Sequence, residues 1–124
     1  MSKIAFLAVE EVVNIDQRRV GEIVSELGQS AANTLLSAAL EQLASSLRDT
    51  QRASALNDLG QVVGHADRLS RLAWQVGLVS LAGVAVDVGQ CAERRDGAGL
   101  SATLARLERI ATRSLTEIWD QLDP

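Results

Sequence analysis

Aromatic residues, proline, cysteine and histidine are all scarce in this sequence of 124 residues. Two tryptophans, one phenylalanine and no tyrosine leave no series of rings on which nucleic-acid bases could stack. The formal net charge of -4 also provides no basic field for a phosphate backbone. Nucleic acid is therefore not an expected partner.

The single Cys91 cannot form an internal disulfide, and one cysteine with one histidine is too few for a zinc site. We interpret Cys91 as a small packing residue, because no histidine lies near it in sequence to activate a thiolate. The sequence has no glycine-rich phosphate loop after a strand and no paired carboxylates beside a histidine. We therefore expect neither an enzyme nor a bound cofactor or metal.

Long apolar runs are also missing. The run "IAFLAV" over residues 4–9 is followed at once by two glutamates, so it is too short and too soon acidic for a signal peptide or a membrane span. These features predict a cytoplasmic protein with no membrane partner.

Alanine, leucine and valine are abundant, and 47% of the residues are hydrophobic. The only proline is Pro124, so no predicted helix is interrupted by one. This composition predicts an all-α protein that forms one domain over residues 1–124. Residues 1–13 fit either an apolar arm or a helix.

Capping residues and apolar spacing predict the first two helices. Asp16 can cap a short helix that ends at Leu27, where Gly28 supplies the stop. A longer helix is expected from about Ser30 to Arg48, with a broad apolar face suited to a bundle interior.

The polar stretch "RDTQ", residues 48–51, predicts the next break. The side chain of Asp49 or Thr50 is placed to accept hydrogen bonds from the first free backbone amides of a third helix. This helix is expected to continue through Val76.

Gly77 separates this third helix from a fourth, which ends at the polar loop "ERRDGAG". The last helix is expected from about Leu100 to Leu122. Short connections between long helices predict an antiparallel up-and-down four-helix bundle, with the short first helix packed across one end. Gly83 and Gly89 lie inside the fourth helix, where they mark either a close approach of a neighbouring helix or simple tolerance of glycine.

The stretch "ADRLSRLAWQVGL", from Ala66 to Leu78, together with Leu27 and Gly28, resembles the histidine-phosphotransfer (HPt) domains of bacterial multistep phosphorelays. That family has a short opening helix ending in Leu-Gly, a long helix, and a third helix with the motif Ala-His-x-Leu-Lys-Gly and a later glycine. The resemblance spans about residues 14–122. It implies an HPt-like bundle whose partner is the receiver domain of a response regulator or hybrid kinase.

The reactive residues of the motif differ in this sequence. With Ala66, Leu69 and Gly77 aligned, the phosphoacceptor histidine of the family falls on Asp67. Its lysine falls on Ser70 and its glycine on Arg71. A carboxylate without a magnesium-bearing pocket is a poor nucleophile toward phosphoryl groups. The resemblance therefore implies a pseudo-HPt that carries no phosphate, in which Asp67 is either a permanent mimic of the charged form or a solvated carboxylate.

The one histidine, His65, gives an alternative. It lies about 200° around the helix from Asp67, so the two side chains cannot both face one docking surface squarely. Either His65 is the phosphoacceptor of an active phosphotransfer protein, or it is a boundary residue without chemistry.

Partner contacts are expected from basic residues that can meet the acidic mouth of a receiver domain, and from one aromatic residue. Trp74 stands on an otherwise polar side of the third helix, where it either seals the bundle edge or anchors a partner. Asp67, Ser70 and Arg71 are expected to be mostly exposed. The expected partner-binding residues are Arg48, Arg52, Arg68, Ser70, Arg71 and Trp74.

A hypothesis from another class is a helical dimerisation or scaffold module built around "IAFLAV", with a homodimer as its assembly.

Overall fold

The computed structural model describes residues 12–122, and this part of the chain is all-helical, with no strand. Residues 1–11, on which most of the predicted arm or helix falls, lie outside the described residues. The five helices are α1 (Gln17–Leu27), α2 (Gln29–Ala55), α3 (Leu59–Gln75), α4 (Val79–Glu93) and α5 (Gly97–Leu122).

The limits of α1 confirm the prediction from its caps. The Asp16 side chain accepts hydrogen bonds from the backbone amides of Arg18 and Arg19, which are free donors of the first turn. The helix ends at Gly28, whose φ of +83° is a conformation that glycine adopts without strain.

The predicted break at "RDTQ" is wrong, because α2 continues through this stretch to Ala55. Asp49 and Thr50 are therefore helical residues and not caps. Thr50 is fully buried, and its hydroxyl donates to the Ser46 carbonyl oxygen at 2.8 Å, one turn earlier. Burial of Thr50 on the core face of α2 favours continuation of the helix over the capping role that its residue type also permits.

The break between α2 and α3 lies at residues 56–58. Asn57 has a φ of +56°, in the left-handed region that asparagine tolerates better than most residues. Asp58 then caps α3, because its side chain accepts from the Gln61 amide at 3.2 Å. The third helix is therefore shorter than predicted at its N-terminal end.

The remaining limits agree closely with the sequence. The α3 and α4 helices are separated by residues 76–78, including Gly77, as predicted. The last helix begins at Gly97, three residues before Leu100, and the Asp96 side chain accepts from the Gly99 amide at 2.9 Å.

The helices form a bundle around one continuous hydrophobic core. Consecutive helices contact each other from α1 to α5, and α2 also contacts α5. Ser70 of α3 bonds to Ala82 of α4, and Ala66 of α3 faces Gly89, so later residues of α3 lie beside earlier residues of α4. The largest fully buried apolar side chains are Leu36, Leu43, Val62, Leu69, Leu78, Leu81, Val88, Leu107 and Ile118.

Two helices are much longer than their neighbours. At about 1.5 Å per residue, α2 and α5 are about 40 Å long, whereas α3 and α4 are about 25 and 22 Å long. The first residues of α2 and the last residues of α5 therefore extend beyond the α3–α4 connection. At this end of the bundle, α1 packs against α2, and the core includes Val13, Ile23 and Leu122.

The segment before α1 is bound to the α3–α4 connection. The Asp16 amide donates to the Gly77 carbonyl oxygen at 2.7 Å, and the Asn14 amide donates to Ser80 Oγ at 2.7 Å. Arg19 Nε donates to the Gln75 carbonyl oxygen at 2.9 Å. These bonds fix the N-terminal segment next to the first turn of α4.

Within residues 12–122, no helix is both long and apolar enough to cross a membrane.

Candidate functional site on α3 and α4

Asp67, at the position aligned with the HPt phosphoacceptor, is exposed on α3, as the helical period predicts. Its carboxylate lies 3.2 Å from the guanidinium of Arg71, one helical turn later. Both side chains are more than half exposed, so the attraction between them is screened by water. A partner can reach Asp67 and Arg71 together without a change in the bundle.

Ser70 contradicts the expectation that it is mostly exposed. It is half-buried, and its hydroxyl donates to the Ala82 carbonyl oxygen of α4 at 3.1 Å. The reason is that Ser70 lies on the flank of α3 that faces α4, where the neighbouring backbone offers an acceptor. In this structure Ser70 links two helices.

Trp74 lies beside α4 and forms one wall of an open groove between α3 and α4. Although it lines this groove, its side chain is 64% exposed, so most of the ring is accessible to a partner. Val86, on α4, is also 45% exposed. The cavity volume is about 460 Å³. The residues of this α3–α4 groove are Ser70, Arg71, Trp74, Gln75, Val79, Ala82, Gly83 and Val86.

The two glycines of α4 differ in their surroundings. A Cβ atom at Gly89 would lie 3.7 Å from the Ala66 Cβ atom, which is ordinary contact between neighbouring helices. A Cβ atom at Gly83 would meet no atom within 4 Å. Of these two glycines, only Gly89 lies where a neighbouring helix, α3, comes close to α4. Gly83 leaves open space in the α3–α4 groove.

His65 lies on the other side of α3, away from the groove. It is half-buried, and its Nε2 atom is 3.2 Å from Gln61 Oε1 in the preceding turn. His65 lines a separate cavity of about 280 Å³, together with Asp49, Arg52 and Asp58. Arg52 and His65 therefore line the same cavity, and Asp67 does not line it.

The predicted partner-binding residues do not all line one cavity. Ser70, Arg71 and Trp74 share the α3–α4 groove, whereas Arg52 lies in the His65 cavity. Arg48 and Arg68 are exposed and line neither of these two cavities.

Sequence reasoning missed the four groove residues that α4 contributes. A signal for them is present, since Val79, Gly83 and Val86 recur at helical spacing on the side of α4 opposite its buried stripe. A helix that is apolar on two sides has a second surface available for contact.

Cys91 is half-buried, and a Cβ atom at Gly99 would lie 3.0 Å from its Sγ atom, so the thiol packs closely against the start of α5.

Over residues 12–122, no group of three or more histidine, cysteine, aspartate or glutamate side chains is placed to hold a metal ion. Comparisons of the chain with protein-family models, with curated proteins and with solved structures found no match.

Proposed function

We propose that this chain is an HPt-like module of two-component signalling, which binds receiver domains and carries no phosphate. The fold that this proposal requires is an antiparallel up-and-down four-helix bundle made of α2 to α5. Connections of only three residues between these helices, and contacts between each consecutive pair and between α2 and α5, support this arrangement. In it, α1 occupies the position of the short opening helix of the family.

The observation that carries the proposal is the position of Asp67. It lies on an exposed face of α3, one turn from Arg71 and on the same side of the helix as Trp74. The family needs its reactive histidine on such an accessible face. In this chain the site is equally accessible, but its side chain is a carboxylate that cannot accept phosphate readily without a magnesium-bearing pocket.

The α3–α4 groove supplies the surface for a partner. Tryptophan and arginine are enriched among the residues that dominate binding energy at protein interfaces, and Trp74 and Arg71 occur here side by side. The part of the groove that α4 contributes carries no charged side chain. Arg68, three residues before Arg71, adds an exposed positive charge on α3 outside the groove. This composition suits an apolar helix of a receiver domain whose adjacent surface is acidic.

Titration of the full chain with a panel of purified receiver domains tests binding. We expect Trp74→Ala to weaken the complex by about 30-fold, which corresponds to the roughly 2 kcal/mol typical of an interface hot spot. Trp119→Ala is the matched control, because Trp119 is also more than half exposed but lies on α5. Equal losses for the two variants, or no receiver bound by the natural chain, would contradict the proposal.

The absence of phosphate transfer has its own test. The variant Asp67→His, Ser70→Lys, Arg71→Gly restores the residues of the family motif. We expect it to gain acid-labile phosphate from a phosphorylated receiver, whereas the natural chain gains none. The triple change should cost about 2 kcal/mol, from glycine in a helix and from the lost Ser70 hydrogen bond, which a domain of ordinary stability tolerates.

A second candidate function is phosphate transfer through His65. The observation in its favour is Arg52, which lines the same cavity and can stabilise the charge of a phosphoryl group. Acid-labile phosphate on the natural chain that disappears in His65→Ala and persists in Asp67→Asn would select this function. We expect no phosphate on the natural chain, on His65→Ala or on Asp67→Asn.

A further inference from the structure

We infer that residues 1–11, here called the N-terminal arm, dock in the α3–α4 groove of their own chain. This docking does not depend on the proposed function. Where the proposed function also holds, the arm and a receiver domain share Trp74 as a binding residue.

The first support is the place where the described chain begins. Hydrogen bonds from the Asp16 amide to Gly77 and from the Asn14 amide to Ser80 hold residues 14–16 against the α3–α4 connection and the first turn of α4. Ser80 directly follows Val79, which lines the groove. The arm is therefore joined to the bundle beside one end of the groove.

The N-terminal arm is also long enough to reach along the α3–α4 groove. From Val79 to Val86 the groove follows seven residues of α4, or about 10 Å of helix. The apolar run over residues 4–9 spans about 9 Å if helical, close to the length of the groove, and about 20 Å if extended, which exceeds it. Glu10 and Glu11 provide up to about 7 Å of chain to connect this run to Val12.

The third support is chemical complementarity. Trp74 and Val86 expose apolar surface in the groove, and the space beside Gly83 admits an additional side chain. The arm supplies the sequence "IAFLAV", whose six residues are all apolar. In sequence, Glu10 and Glu11 directly precede the described chain, and Arg19, which donates to the Gln75 carbonyl oxygen, provides a cation at the Gln75 end of the groove.

A disulfide cross-linking experiment on the full chain tests whether the N-terminal arm occupies the α3–α4 groove. The natural cysteine is removed as Cys91→Ser, and Ala8→Cys is combined with Gly83→Cys in the groove. Ala8→Cys with Thr112→Cys is the control, because Thr112 is exposed on α5, which contacts α4, but does not line the groove. Under mild oxidation we expect at least fivefold more intramolecular disulfide for the Gly83 pair than for the control.

Two outcomes would overturn the inference. Equal cross-linking of the two pairs would show that the arm has no preference for the groove. Disulfide-linked dimers of the Gly83 pair in place of cross-linked monomers would show that the occupant is the arm of a second copy of the chain.

Tryptophan fluorescence provides a readout that needs no cross-link. In Trp119→Phe, Trp74 is the only tryptophan, and we expect the docked arm to shield it from acrylamide. Adding Phe6→Glu and Leu7→Glu should release the arm and raise the quenching constant at least twofold. An unchanged quenching constant would overturn the inference, and because no receiver is present, this result leaves the proposed function unaffected.

Discussion

Replacement of Gly77 by alanine should destabilise the fold through both the backbone conformation and the packing of this residue. Gly77 has a φ of +84°, and its carbonyl oxygen accepts the 2.7 Å hydrogen bond from the Asp16 amide. An added Cβ atom would lie 3.0 Å from the Asp16 carbonyl oxygen and 3.3 Å from the Arg19 Cβ atom. The first of these neighbours is backbone and cannot move aside independently.

Two contributions determine the size of the effect. A left-handed backbone costs an alanine about 1 to 2 kcal/mol relative to glycine. Relief of the close contact requires the Asp16 segment to shift, which weakens a hydrogen bond with a net value of about 1 kcal/mol. We therefore expect Gly77→Ala to lower the free energy of unfolding by about 2 to 3 kcal/mol, with a fall in Tm of about 10 °C for a domain of this size.

Urea denaturation followed by circular dichroism at 222 nm provides the measurement, with the slope against urea concentration expected to remain unchanged. Gly64→Ala is the matched control, since Gly64 is an exposed residue of α3 and a Cβ atom there meets nothing within 4 Å. The control should be more stable than the natural chain by about 1 kcal/mol. If both alanine variants were stabilised alike, the positive φ and close packing at Gly77 would have no energetic weight, and this reasoning would be refuted.

Four further predictions concern single side chains, each measured by the same denaturation. Leu69→Ala should cost about 2 to 5 kcal/mol, because Leu69 is almost fully buried in the core. Ser70→Ala should cost about 1 kcal/mol through loss of its bond to Ala82. Ser114→Ala should instead stabilise by about 1 kcal/mol, because this buried hydroxyl has no hydrogen-bond partner among the described residues. Asp67→Asn should change stability by less than about 0.5 kcal/mol, since its pair with Arg71 is exposed; a larger loss would contradict a screened ion pair.

The element order and most helix limits could be predicted from sequence where a single local cause decides them. Asp16 caps α1, Gly28 ends it, and Gly77 separates α3 from α4, because each role depends on the residue's own backbone or nearest neighbours. The error at "RDTQ" has a different origin. Thr50 is suited both to a cap and to a helix interior, and contact with the rest of the core decides between them.

The candidate site was less predictable because it depends on two helices at once. The exposure of Asp67 follows from the period of α3 alone. The half-buried position of Ser70 depends on where the Ala82 carbonyl of α4 lies, and no periodicity within α3 contains that information. For the same reason the open space beside Gly83 could not be distinguished from the close contact at Gly89.

The unequal helix lengths have a consequence for how the protein opens. The overhanging end of α2 is contacted by α1. The bonds at Gly77, Gln75 and Ser80 join α1 and the short segment before it to the α3–α4 region. Elements held by few contacts open with a smaller free energy than the whole domain. We therefore expect a protease to cut first near Gly28, and amide hydrogens of α1 to exchange before those of α3 and α4. In that case a ligand that holds α1 against α2 can be detected as slower proteolysis near Gly28.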